Sequence, residues 1–300
     1  MKDAFLAVVN PAAGGGRGRK LVGPALDRLR AGGVQIDVLE TSGPGQGTEI
    51  TRNALSQGYC RFIAVGGDGT SYEIVNGLFP HDPALPAPTL AFLPLGTGNS
   101  FLREFTDRGV EHAIEALLTR RTQPCDVIRL RYAGGVLHYI NLLSMGFAAD
   151  VATLRARRFS AWGELGYQSS IFISLARLRR RPFPLRIDNQ GEIDRRPCLF
   201  LTFNNSKFTG GTMLIAPRAE VNDGLIEYVR WGPIGRIGLV RNLPTLYDGT
   251  HIRHPLAERH AAKQIDFFLD APADVMVDGE VLTLQCEKLD VLPSALTVVV

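Results

Sequence analysis

The sequence predicts an α/β domain, built as a parallel sheet covered by helices, followed by a predominantly antiparallel β domain. Three observations carry this prediction. Up to Asp126, short apolar runs alternate with stretches of helical spacing; three of those runs stop in glycine-rich loops; and beyond Asp126 the runs come in pairs across tight-turn residues.

Residues 5–10 form the first apolar strand, which runs into Pro11 and the basic, glycine-rich loop 14–20. Residues 20–31 have helical spacing around Pro24, Gly32-Gly33 stops them, and 34–39 alternate as a strand, with a helix following at 48–57. The run 62–65 is too short for a helix, and Gly66-Gly67-Asp68-Gly69-Thr70 ends it before 71–78 return to helical spacing. After the proline-rich stretch 80–88, the strand 90–93 meets Gly96-Thr97-Gly98-Asn99, and helices are expected near 101–105 and at 110–119. Strands 126–132 and 136–143 then read as a hairpin across Ala133-Gly134-Gly135, and later pairs flank Asn189-Gln190-Gly191 and Asp278-Gly279. Residues 198–204, 225–229, 265–269 and 295–300 supply more β material, interrupted by helical stretches at 151–180 and 234–246.

The totals describe an ordinary soluble protein: 300 residues, enough for two domains, 45% hydrophobic and 21% charged. Against 33 Lys+Arg stand 30 Asp+Glu, so a formal charge of +3 gives no argument for a nucleic-acid partner. Cys60, Cys125, Cys198 and Cys286 are far apart and show no paired spacing, which speaks against a zinc site or a disulfide framework and fits a reducing cytoplasm. His251, His254 and His260 lie close together without a carboxylate or cysteine at metal-ligand spacing, and are expected to be ordinary surface or loop residues. No stretch approaches the ~20 apolar residues of a membrane span.

In a parallel sheet the three glycine-rich loops leave one edge, the carboxyl ends of the strands, where open α/β sheets bind ligands. At Gly66 and Gly67 bare backbone can approach an anion, the following helix N-terminus adds positive potential, Thr70 and Ser71 offer hydroxyls, and Asp68 offers a carboxylate. The loops at Gly96 and Asn99 and at Arg17, Arg19 and Lys20 add amides and cations. This is a phosphate site with an acid in it. An aspartate at such a turn can equally cap its helix, but three coincident loops exceed what capping needs.

With these motifs in place the chain resembles the diacylglycerol kinase catalytic family, which includes bacterial diacylglycerol kinases and sphingosine and ceramide kinases. Asn10-Pro11 with its basic loop resembles the family's opening motif, Gly66 to Thr70 its signature, and Pro94 to Asn99 its third nucleotide loop. Asn204-Asn205-Ser206, Gly210-Gly211, Asn222-Asp223-Gly224-Leu225, His254-Pro255 and Asp278-Gly279-Glu280 then follow in the family's order. The resemblance implies an α/β nucleotide-binding domain over 1–126, with a C-terminal segment near 290–300 returning to it, and a β-rich lipid-binding domain over 127–289, the active site lying in the cleft between them. It implies ATP as co-substrate, contacted by Asn10, Thr41, Gly67, Asp68, Gly69, Thr70, Glu73 and Thr97, and a lipid hydroxyl as acceptor. Glu280 stands where diacylglycerol kinases place the general base, whereas sphingosine kinases give that role to the aspartate matching Asp68. Asp126 matches an aspartate of the water and magnesium network, and Asp223 with the backbone oxygens of Glu220 and Leu225 matches a structural Mg²⁺ site. Tyr72 departs from the asparagine that the family carries before its glutamate.

The segment 144–150 resembles the sphingosine and ceramide kinase branch, in which the aspartate matching Asp150 meets the sphingoid head; chain length and the lack of an added regulatory domain favour diacylglycerol instead. Arginines at 155, 157, 158, 177, 179, 180 and 181 flank Phe159, Trp162 and an apolar stretch at 171–175, a composition suited either to an anionic membrane surface or to a helix packed on the β domain. The expected partners are thus a lipid substrate and, peripherally, a membrane, and there is room for a homodimer.

Overall fold

The computed structural model describes residues 2–16, 18–95, 99–158 and 173–300. They form two compact units, one of Met1–Val127, Val221–Asp223 and Leu292–Val300, the other of Ile128–Glu220 and Gly224–Val291.

The first unit is built on strands β1 (Phe5–Val9), β2 (Ile36–Glu40), β3 (Arg61–Gly66) and β4 (Thr89–Pro94), all parallel in the order β2-β1-β3-β4. The end of the long strand β18 (Cys286–Val299) joins β4, with Thr297 to Val299 running parallel to Thr89 to Ala91. Side chains of β1, β3 and β4 are buried on both faces, which is why these strands read as unbroken apolar runs. Helices α1 (Gly18–Ala31) and α4 (Gly109–Thr119) bury Leu26, Leu29, Ile114 and Leu117 against Ala7, Val9, Ile63 and Leu93. On the other face α2 (Gln46–Ser56) and α3 (Asp68–Leu78) pack on β1, β3 and each other. A Cβ on Gly77 of α3 would lie 2.5 Å from Thr51 of α2, so glycine sets how closely these two helices approach.

The second unit carries an antiparallel six-stranded sheet in the order β14-β13-β10-β7-β16-β17. Its strands are β7 (Leu142–Gly146), β10 (Phe200–Asn204), β13 (Ile226–Trp231), β14 (Ala257–Ala262), β16 (Ala273–Val277) and β17 (Glu280–Leu284), while β11 (Phe208–Thr209) and β12 (Met213–Leu214) pair only with each other. The hairpin β5 (Thr122–Tyr132) and β6 (Gly135–Tyr139), with β8 (Leu185–Ile187), β9 (Gln190–Asp194) and β15 (Gln264–Phe267), belongs through β18 to the same hydrogen-bonded sheet as β1 to β4, β5 and β15 both pairing with β18. Phe203 of β10 meets Phe267 of β15 edge to face at 5.3 Å, joining the two sheets through aromatic core. On the outer face of the six-stranded sheet, Trp231 and Phe200 pack with Leu239 and Leu246, which come from α6 (Arg236–Asn242) and α7 (Thr245–Asp248).

Three expected elements differ from the structure. The strand expected at 136–143 breaks at Ile140-Asn141, where the chain leaves one sheet for the other; Asp278 receives the freed N–H groups of Ile140, Asn141 and Leu142 at 3.1, 3.0 and 2.9 Å. The helix expected at 234–246 is two short ones because Pro244 interrupts it. The final strand begins at Cys286 rather than Ala295; it bends at Pro293-Ser294, where Ser294 takes φ 48°. His251 is buried, not at the surface, with its ring nitrogens 3.2 Å from Thr245 O and 3.0 Å from Ile215 O.

Candidate active site

Strand order decides where the first unit can hold a ligand. From β1 the chain moves to one side for β2 and to the other for β3, so the connections leaving the carboxyl ends of β1 and β3 diverge and open a crevice between them. Asn10 stands at one lip, its N–H donating to Val65 O at 3.0 Å while its Oδ1 accepts from Ala12 N at 3.0 Å. Gly66 and Gly67 stand at the other. Thr41, just past β2, donates N–H to Val9 O at 2.8 Å, and Leu95 N–H donates to Gly66 O at 2.9 Å, so all four strand ends are tied into one edge.

A Cβ on Gly66 would lie 2.2 Å from Thr70 Oγ1, so the strand end and first turn of α3 meet through bare backbone. Thr70 Oγ1 is buried with no hydrogen-bond partner among the described residues. Asp68 opens α3, and its carboxylate accepts N–H bonds from Ser100 at 3.0 Å and Phe101 at 3.5 Å. Burial pushes this carboxyl above the usual aspartate range, against the lowering effect of those bonds. Around it lies a small hollow lined by Gly66, Gly67, Ser71, Asn99 and Phe101. Glu73, one turn further along α3, is engaged elsewhere: its two oxygens accept from Gly45 and Gly47 N–H, both at 2.7 Å, and cap α2. Arg17, Gly96 and Thr97 lie outside the described residues, as does the side chain of Lys20.

Asp126 is fully buried in β5. Its N–H donates to Val221 O at 2.6 Å and its Oδ1 accepts from Ser294 N–H at 2.7 Å, so one residue fastens two later chain segments to the first unit. Val221 is two residues from Asp223. The turn 220–225 thus carries the Asp223 carboxylate close in sequence to the anchor on Asp126, with Glu220 and Leu225 at its ends. A carboxylate with backbone carbonyls is a hard oxygen donor set of the kind that suits Mg²⁺. Among the described residues there is no cluster of three or more His, Cys, Asp or Glu side chains arranged for a metal.

In the second unit Asp278 and Gly279 take φ 47° and 91°, the backbone of a two-residue hairpin turn, and Glu280 follows exposed at the start of β17. Helix α5 (Phe147–Arg158), which carries Asp150, packs against β16 and β17, so both second-unit candidates belong to one packed group of elements. Asp150 is paired with Arg181 at 2.5 Å.

Two family models together match almost the whole chain: "Diacylglycerol kinase catalytic domain" over residues 4–130 and "YegS C-terminal NAD kinase beta sandwich-like domain" over 141–300. The chain belongs to the diacylglycerol kinase family of lipid kinases. Its similarity to the diacylglycerol kinase of Mycobacterium tuberculosis (strain CDC 1551 / Oshkosh) is 27% identity over 97% of this chain and 93% of that one. To a protein of Pseudomonas putida named "Probable lipid kinase YegS-like" it is 28% identical over 91% and 88% of the two chains. A crystal structure of a diacylglycerol kinase from Bacillus anthracis str. Sterne shares the fold, with a TM-score of 0.72 at 21% identity over 99% of this chain and 96% of that one.

Sequence reasoning passed over the structural work of the family's own motifs. Asn205 and Ser206 hold the sheet-switching corner: Asn205 Nδ2 donates to Ile140 O at 2.9 Å, Asn205 N–H to Asn141 O at 2.8 Å, and Ser206 Oγ to Asn141 Oδ1 at 2.5 Å. Their partners lie 64–65 residues away in sequence, so no local signal marks them.

Proposed function

We propose that the protein transfers the γ-phosphate of ATP to the free hydroxyl of diacylglycerol, forming phosphatidic acid. The observation that carries this reading is the crevice between β1 and β3, where a glycine-only strand end opens onto the first turn of α3 beside a buried carboxylate. Backbone amides and a helix N-terminus suit the phosphates of a nucleotide, with Asn10, Thr41, Gly66, Gly67, Gly69, Thr70 and Asn99 around them and the cations of the 14–20 loop nearby in sequence.

As the acceptor oxygen attacks the γ-phosphorus, the bond to the bridging oxygen of ADP breaks and the hydroxyl proton must leave. Glu280, an exposed carboxylate at a hairpin tip, can accept it, as can Asp68, whose proton affinity burial raises. A Mg²⁺ ion would supply neutralisation of phosphate charge, Asp126 matching the water and magnesium network; Asp223 with the carbonyls of Glu220 and Leu225 would hold a structural ion, in a turn that the Asp126 N–H fastens at Val221 O. The Asp150–Arg181 ion pair favours diacylglycerol over a sphingoid base, because the carboxylate that would meet a cationic amine already has a cation on it.

The test is transfer of labelled γ-phosphate to diacylglycerol, sphingosine and ceramide in mixed micelles with Mg²⁺. Product on diacylglycerol is expected, reduced about 10²–10⁴-fold in Glu280→Ala and Asp68→Ala. Product confined to a sphingoid lipid and lost in Asp150→Asn would give the sphingoid reading instead; ATP binding with no product on any lipid would leave a nucleotide-dependent binding protein.

A further inference from the structure

A lipid kinase must reach a substrate that resides in a bilayer, and among the described residues no helix is long and apolar enough to cross one. Among the described residues exposed large apolar side chains are few, but Ile237, Val240 and Tyr247 fall within eleven residues on α6 and α7 and are 70%, 49% and 55% exposed. Ile237 and Val240 are three apart on α6, so they share a face, while Leu239 of the same helix is buried on Trp231 and Phe200. The helix therefore presents apolar side chains both to the core and away from it. The core does not need the outward set.

The charge beside this face has one dominant sign. Between Pro233 and Leu256 stand Arg236, Arg241 and Arg253, all exposed, against a single acid, Asp248, whose Oδ1 accepts from Thr250 N–H and Oγ1 at 2.9 and 2.6 Å. A second basic segment is tied to the same place. Arg236 Nε and Nη2 donate to Leu175 O and Ala176 O at 3.0 and 2.9 Å, and Arg180 Nε donates to Ile234 O at 3.1 Å, bringing Arg177 and Arg179 alongside with no acid between residues 173 and 181.

We propose that the outward face of α6 and α7 is the surface by which the protein docks on an anionic bilayer. The exposed aliphatic and tyrosine side chains enter the interface, and the flanking arginines meet lipid phosphates. The arrangement rests on the lipid-kinase reading above and adds the place of contact. A second copy of the chain is the poorer occupant, because the face would set its own arginines against their like.

The experiment is co-sedimentation with vesicles of phosphatidylcholine alone and of phosphatidylcholine mixed with phosphatidylglycerol, alongside phosphoryl transfer to short-chain diacylglycerol in detergent micelles. Wild type is expected to bind the anionic vesicles, and added salt to weaken the binding. Ile237→Gln/Val240→Gln should lose binding at least about tenfold, and Arg241→Gln/Arg253→Gln about 25-fold, at about fivefold per charge, with unfolding temperature and micellar activity unchanged in both. Binding of both double variants equal to wild type overturns the proposal even if the kinase is active. Self-association in sedimentation velocity that Ile237→Gln/Val240→Gln abolishes, without vesicle binding by wild type, also overturns it and assigns the face to a second copy. Vesicle binding lost in the variants while wild type phosphorylates no lipid would uphold the docking surface and remove the kinase reading.

Discussion

The buried carboxylate of Asp278 offers the sharpest test of how this fold is held. It is 3% exposed and accepts three backbone N–H bonds, from Ile140, Asn141 and Leu142, at the corner where the chain passes from one sheet to the other. Hydrogen bonds to a charged acceptor contribute about 1.5–3 kcal/mol each, and a donor left buried and unmet costs about 1–3 kcal/mol. Asp278→Ala removes all three acceptors and places alanine at φ 47°, which adds about 1–2 kcal/mol. Allowing for the incomplete additivity of bonds to one group, the total is about 5 kcal/mol, or a fall in Tm of about 10–20 °C at 2–4 °C per kcal/mol. Asp278→Asn keeps one oxygen for Asn141 and Leu142 and tolerates the turn, but sets its amide against the Ile140 N–H, so its cost is about 2 kcal/mol. Calorimetry and urea titration of the second unit's transition measure both. An alanine variant within about 2 °C of wild type, or an asparagine variant less stable than the alanine one, would refute the corner argument.

Three further predictions follow from single contacts. Asp68→Asn removes a carboxylate whose proton affinity burial has raised; wild type is penalised as pH rises through the folded Asp68 pKa, so the variant should be the more stable at neutral pH, the gap closing as pH falls, while phosphoryl transfer is lost. Urea titrations at a series of pH values read this, and an unchanged gap would sink it. His138, held down to about 4 by burial and by Arg129, stays neutral in the folded chain while the unfolded chain takes up a proton below 6.5. Stability present above pH 6.5 should therefore fall by up to about 3 kcal/mol as pH drops towards 4, a slope that His138→Gln should flatten; parallel curves would count against it. Gly66→Ala must displace Thr70, costing about 1–3 kcal/mol. Thr70→Ala should recover part of that loss in a double-mutant cycle, whereas strict additivity would show that the two do not meet.

Much of this protein was legible because its information is local. Strands β1, β3 and β4 announce themselves as apolar runs since both their faces are buried, and Gly66-Gly67-Asp68 announces a strand-to-helix turn since only glycine permits that approach. The Asp278-Gly279 turn is readable for the same reason, its two residues supplying the positive φ that a tight hairpin requires. What failed was long-range. Nothing within 136–143 says that the strand must break, because the cause is a carboxylate 136–138 residues away. The polar start of β18 does not read as a strand because its partner, β15, is set by tertiary pairing.

The candidate site divides along the same line. By itself the sequence determined which residues could face a phosphate, since glycine at a turn, a following helix and a carboxylate are properties of adjacent positions. Only the tertiary structure decided that the carboxyl ends of β1 and β3 flank one crevice, that Asp68 is buried enough to hold its proton more tightly, that Glu73 caps α2, and that Asp126 fastens Val221 and Ser294. The physical reason is that backbone geometry is written into neighbouring residues, whereas solvation and hydrogen-bond partners depend on which distant segments the fold brings alongside.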